Sequence, residues 1–133
     1  MELRVNASDE NLHKVLSFVE NELEAHDCLM KDIMMITVIV EEVFVNIAHY
    51  AYEGNVKEAT INVEFIDNDV VITFIDSGIP FDPTAKEDPD IGAPAEDRDI
   101  GGLGIYMVKK TMDEMKYERI DNQNVLTLRK GIK

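Results

Sequence analysis

The chain has 133 residues, with 27 Asp and Glu against 13 Lys and Arg, a formal charge of −14. Such a field repels phosphate backbones and anionic bilayers, which argues against a general nucleic-acid binder and against docking on a membrane surface. With 45% hydrophobic and 30% charged residues, the chain is neither disordered nor fibrous and suits a single domain over residues 1–133.

In chain order, Glu2–Asn6 alternates apolar and polar residues and reads as a short strand. Ser8 is positioned to cap a helix from Asp9 to about Ala25, on which Leu12, Val15, Leu16, Val19 and Leu23 share one face. Asp27 is the expected cap of a second helix, about Leu29–Tyr50, apolar on most sides through Val40 and so expected to be buried between layers. Ala59–Ile66 and Val70–Asp76 form a hairpin around Asp67-Asn68-Asp69. A helix of about Gly104–Glu114 precedes a second hairpin, Met115–Ile120 and Val125–Lys130, turning at Asp121-Asn122-Gln123-Asn124.

Residues 77–100 differ from the rest: Ser77–Gly104 holds all four prolines and five of the seven glycines, and 77–100 carries seven acids against two bases. A loop of this length inside a compact domain is functional or disordered. The element order β-α-α-β-β-loop-α-β-β predicts a two-layer α/β sandwich, a mixed, mostly antiparallel sheet with helices on one face. The longest apolar run, Ile33–Val40 broken by Thr37, is too short for a membrane span, and Met1–Val5 lacks the character of a signal peptide. Cys28 is the only cysteine, so an internal disulfide is excluded and a cytoplasmic protein is expected. His13, His26 and His49 show no metal-ligand spacing.

Three clusters carry chemistry. Glu42 and Asn46 lie four apart on one helix face; a carboxylate can take a proton, and a carboxamide oxygen can ligate magnesium. His49 lies near that face and is a candidate supporting group. Asp76-Ser77-Gly78 puts a carboxylate at the end of a strand, able to accept from an exocyclic amine such as that of adenine, while Gly78 admits a flat ring close to the backbone. Gly101-Gly102-Leu103-Gly104 runs into an amphipathic helix, where free backbone N–H groups and the helix dipole favour phosphate. Each cluster alone also fits a plainer reading: a solvated helix stripe, a strand-ending turn, a hinge.

Together, and in this order, they resemble the N, G1 and G2 boxes of the GHKL (Bergerat-fold) ATPases, the superfamily of gyrase, heat-shock chaperones, histidine kinases and mismatch-repair ATPases. Glu42 and Asn46 match the N box, Asp76 and Gly78 the G1 box, and Gly102 and Gly104 the G2 box. Within that superfamily the stretches EEVFVNIAHYAY and GGLGIYMVKKTMDE are most similar to the bacterial anti-sigma factor serine kinases.

The resemblance implies an ATP- and magnesium-dependent protein serine kinase. It would phosphorylate a STAS-type anti-anti-sigma partner and sequester a sigma factor, with homodimerisation common in the branch. The alternative is a non-catalytic binding module switched by nucleotide. Glu42 would be the general base and Asn46 the magnesium ligand. Asp76 would bind the adenine amine with Gly78 against the ring, and Gly102, Leu103 and Gly104 would donate to the phosphates under a lid of about 77–100. The family's arginine before the G2 glycines has its nearest counterpart in Arg98, and the Gly-Thr pair of its last strand falls at Gln123-Asn124, with Thr127 further along. Lys109 and Lys110 could offset phosphate charge.

Overall fold

The computed structural model describes residues 1–50, 57–80, 82 and 102–132. Five strands form one sheet: β1 (Glu2–Asn6), β2 (Glu58–Ile66), β3 (Asp69–Asp76), β4 (Glu114–Ile120) and β5 (Gln123–Gly131). Their order is β1-β2-β3-β5-β4, and the expected mixed sheet is antiparallel at each of its four pairings. Both hairpins close with two residues. Asp67 turns the first at φ 57°, and Asp121 and Asn122 turn the second at 51° and 63°. Asp and Asn tolerate this left-handed region better than other non-glycine residues, and positive φ at both central positions matches the right-handed twist of the strands.

Alternate strand residues face the helices. On β3 these are Val70, Ile72, Phe74 and Asp76, all buried. They pack under α1 (Leu12–Ala25), α2 (Met30–Tyr50) and α3 (Gly102–Thr111), the helix layer on one face of the sheet. Val15, Val19 and Leu23 of α1 are fully enclosed, and Leu12 and Leu16 pack at the core margin, as their spacing predicts.

Three local expectations are corrected. Asp9 begins a single 3-10 turn, Asp9–Asn11, and the α-helix proper starts at Leu12; Ser8 precedes that turn in extended conformation without a side-chain capping bond. Asp27 ends α1 and does not cap α2. Its φ is 57°, its N–H donates to Glu24 O (3.0 Å), and Cys28 N–H donates to Leu23 O (3.1 Å). That is a Schellman closure, in which a left-handed residue lets the chain satisfy the last helical carbonyls. Finally, α2 is not enclosed between layers. With helices on one face only, the middle helix has an outer side, where Met30, Met34 and Val38 recur every fourth residue at 62%, 62% and 46% exposure. Among the described residues, no helix is long and apolar enough to cross a membrane.

Candidate functional site

The polar groups of interest gather at one end of the two layers. Asp76 ends β3, opposite Ala59 of β2 and Asn124 of β5, and the register β1–β2 pairs Asn6 with neighbouring Glu58. The ends of four strands therefore meet here. Asp9 follows β1 at this end, and its carboxylate is bonded to Nε2 of His49 at 2.8 Å. That contact ties the C-terminal end of α2 to the Asp76 end of the sheet, although both partners are largely exposed, so the pair contributes little stability. The other end of α2 lies far off: Leu29, Lys31 and Met35 line a cleft with Lys130 and Gly131, at the opposite end of β5.

α3 meets the sheet at that opposite end too. Asp113, just past α3, donates its N–H to Arg129 O (2.9 Å). From there the ten residues of α3 extend back about 15 Å at the usual helical rise. α3 packs beside α2, with its C-terminal end anchored at the end of the sheet away from Asp76.

Glu42 and Asn46 both lie on α2 and are half-exposed. Neither has a hydrogen-bond or ion-pair partner among the described residues, so both polar heads are available. A neutral carboxamide oxygen with room for water fits magnesium, which takes few protein ligands and keeps its waters and phosphate oxygens. Glu41 beside them is exposed.

Asp76 is 6% exposed. Its Oδ1 accepts from Gly78 N–H (2.9 Å) and from Asn124 Nδ2 (2.9 Å). Its Oδ2 has no partner among the described residues. A buried carboxylate oxygen left without a donor is costly unless something else supplies one. This is an orphaned acceptor of the kind an exocyclic amine would satisfy, so Asp76 fits the adenine end of a nucleotide.

Sequence reasoning placed Gln123-Asn124 in a turn. The structure places both in β5, with Asn124 buried and in register with Asp76. Asn124 Nδ2 also donates to Ile79 O (2.8 Å), and its Oδ1 accepts from Tyr117 OH (2.6 Å) and Arg119 NH1 (3.1 Å). Arg119 NH1 further donates to Gly78 O (2.9 Å), and Gln123 Nε2 reaches Ser77 Oγ at 3.4 Å. Tyr117, Arg119 and Ile79 had not been identified from sequence. The only available signal was the hairpin arithmetic: a turn shorter by two residues moves Asn124 into the strand. Thr127 pairs with Thr73, three residues along β5 from Asn124.

The glycines stand differently from expectation. Gly102 is the first residue of α3, so Gly102, Leu103 and Gly104 form its first turn and do not precede it. Their N–H groups are those a helix leaves without intrahelical partners. Lys109 and Lys110 occupy the last turn, at the far end from these glycines, where they complement the negative pole of the helix. Lys110 Nζ lies 5.5 Å from the Tyr106 ring centre. Arg98 and most of the expected lid, 77–100, lie outside the described residues; Ser77–Pro80 and Asp82 lie inside.

Comparison with known proteins agrees with this architecture. A family model described as histidine kinase-like ATPase domain matches residues 5–130. The serine-protein kinase RsbW of Bacillus cereus is 30% identical over 99 residues, covering 71% of this chain and 62% of that protein. RsbW of Bacillus anthracis gives the same values. The matched region spans about three-fifths of the length of these curated relatives. Among solved structures, the RsbU and RsbW domains of a Mycobacterium tuberculosis protein superpose with a TM-score of 0.65 at 15% identity, over 99% of this chain and 32% of that one. The SiaB–SiaC complex of Pseudomonas aeruginosa gives 0.60 at 18%, over 98% and 89%. At those identities the two structures establish the fold alone.

Proposed function

We propose, from the premise that this chain belongs to the histidine kinase-like ATPase domain family, that it is an ATP-dependent protein serine kinase acting in the cytoplasm. Its substrate would be a small STAS-type anti-anti-sigma protein, and it would sequester a sigma factor when that partner is unavailable. The observation that carries the nucleotide reading is Asp76, buried at 6% exposure with one carboxylate oxygen unpartnered among the described residues. The relatives named serine-protein kinase support the reaction class.

In this reading Asp76 Oδ2 accepts the adenine amine, and Gly78 leaves the ring room to lie against the backbone. The N–H groups of Gly102, Leu103 and Gly104 receive the phosphates, aided by the positive pole of α3. Asn46 supplies the oxygen ligand for magnesium, which when bound offsets phosphate charge. Glu42 takes the proton of the partner's serine hydroxyl as that oxygen attacks the terminal phosphorus. The serine O–P bond forms, the bond from phosphorus to the oxygen of ADP breaks, and the proton rests on Glu42. Residues 83–101, which include Arg98, join β3 to α3 and so border the phosphate end in sequence.

The test is incubation with magnesium, ATP labelled on the terminal phosphate, and a STAS protein encoded nearby. Label on a serine of that protein is the expected result. Tight magnesium-dependent ATP binding without transfer would replace the kinase with a nucleotide-switched binding module. No ATP binding would overturn both.

A further inference from the structure

Asn124 is a buried amide held by hydrogen bonds to four described residues. Its two N–H donors go to Asp76 Oδ1 (2.9 Å) and Ile79 O (2.8 Å). Its oxygen accepts from Tyr117 OH (2.6 Å) and Arg119 NH1 (3.1 Å). The orientation is set by chemistry: turned over, the amide would present N–H groups to a guanidinium and an oxygen to a carboxylate and a carbonyl.

Its effect falls on Asp76. The Asn124 amide and Gly78 N–H both occupy Oδ1, which fixes the carboxylate plane and, among the described residues, leaves Oδ2 open as an acceptor. Arg119 bonds to both Asn124 Oδ1 and Gly78 O, so the edge strand β4 also holds the backbone just after Asp76. Arg119 and Asn124 are directly opposed in the β4–β5 register, as Asn124 and Asp76 are in β3–β5. The chain Arg119–Asn124–Asp76 thus crosses three neighbouring strands at one level.

We propose that Asn124, polarised by Arg119 and Tyr117, is a positioning residue for base recognition. It makes this site selective for purines bearing a 6-amino group by presenting Asp76 Oδ2 alone to that group. The proposal rests on the nucleotide reading above and adds how the base is discriminated.

The test compares the affinity of the intact protein, with magnesium, for ATP and for purine riboside triphosphate, which lacks the 6-amino group. Wild type is expected to prefer ATP by roughly tenfold or more, the scale of one satisfied buried acceptor. Asn124→Ala is expected to lose most of that preference through weaker ATP binding, with the analogue nearly unchanged. Tyr117→Phe, which removes only the hydroxyl behind the amide, should shift the ratio in the same direction by less. It keeps the test decisive if Asn124→Ala folds poorly. A purely structural role for Asn124 would weaken both nucleotides alike and overturn the proposal. Wild type binding both equally would also overturn it while leaving the nucleotide site standing, whereas binding of neither would overturn the nucleotide reading itself.

Discussion

Asp76 is the residue on which the reading turns, because its two oxygens have different fates. Oδ1 is bonded twice within the protein and Oδ2 not at all among the described residues. Asp76→Asn presents either an amide donor or a weaker acceptor at that position. ATP affinity should fall by about 1–3 kcal/mol, roughly 5- to 150-fold in Kd. Calorimetry giving an unchanged Kd would remove the adenine assignment. Asn46→Ala should weaken ATP binding in the presence of magnesium and leave the weaker magnesium-free binding nearly unaltered. Equal losses with and without the metal would contradict its role as ligand. Asp76→Asn keeps the side-chain shape and Asn46 is only half-buried, so neither should disturb the fold.

Among the helices and turns, the left-handed residues are the positions where local chemistry decides most. Asp27 closes α1 at φ 57°, a conformation that costs a residue with a Cβ more than it costs glycine. Asp27→Gly should therefore raise stability by about 0.5–1 kcal/mol, net of the added freedom of the unfolded chain. A lower denaturation midpoint would contradict the Schellman closure. On α2, Phe44 is fully buried and Met34 is 62% exposed. Phe44→Ala should cost about 3–5 kcal/mol and Met34→Ala less than about 0.5 kcal/mol, read from urea midpoints; similar losses would place α2 between two layers after all. The same positions show what was legible beforehand. Strand alternation in Glu58–Ile66 and Asp69–Asp76 and the apolar face of α1 are periodic signals, and they predicted their elements to within a few residues. Asp27 misled because Asp serves equally as an N-cap and as a left-handed C-terminal residue, and only the backbone distinguishes the two. The outer side of α2 misled because apolarity all round signals burial only when every side has a neighbour. The Glu42 and Asn46 pair, Asp76 and the glycines were visible as motifs. Asn124 was visible only as the place of the family's last-strand Gly-Thr pair; its bond to Asp76 comes from a register contact 48 positions away in sequence.

For the protein as a unit, charge and topology dominate. A formal charge of −14 makes the folded state self-repelling, so raising salt from low to moderate ionic strength should increase the melting temperature. A flat or falling response would show that the pairs at Arg129–Asp69 and Lys130–Asp113 outweigh that repulsion. Asp113 adds a pH dependence. The Gly131 N–H bonded to its carboxylate at 2.7 Å, seconded by Lys130, holds its pKa below the ordinary value. Its stabilisation is therefore complete above the unfolded pKa and is lost as pH falls through the lowered one. Asp113→Asn should make the acid side of the stability profile shallower, and an unchanged profile would contradict that assignment. The proposal at this scale is that one end of the described fold supplies a base, a metal ligand, an adenine acceptor and a phosphate cradle from elements distant in sequence. Single-turnover phosphoryl transfer to a cognate STAS partner by Glu42→Gln, with ATP affinity measured on the same protein, tests it most directly. The account predicts near-normal ATP affinity and transfer slowed by about 10²–10⁴-fold, the usual contribution of a positioned base; transfer at full speed would contradict it.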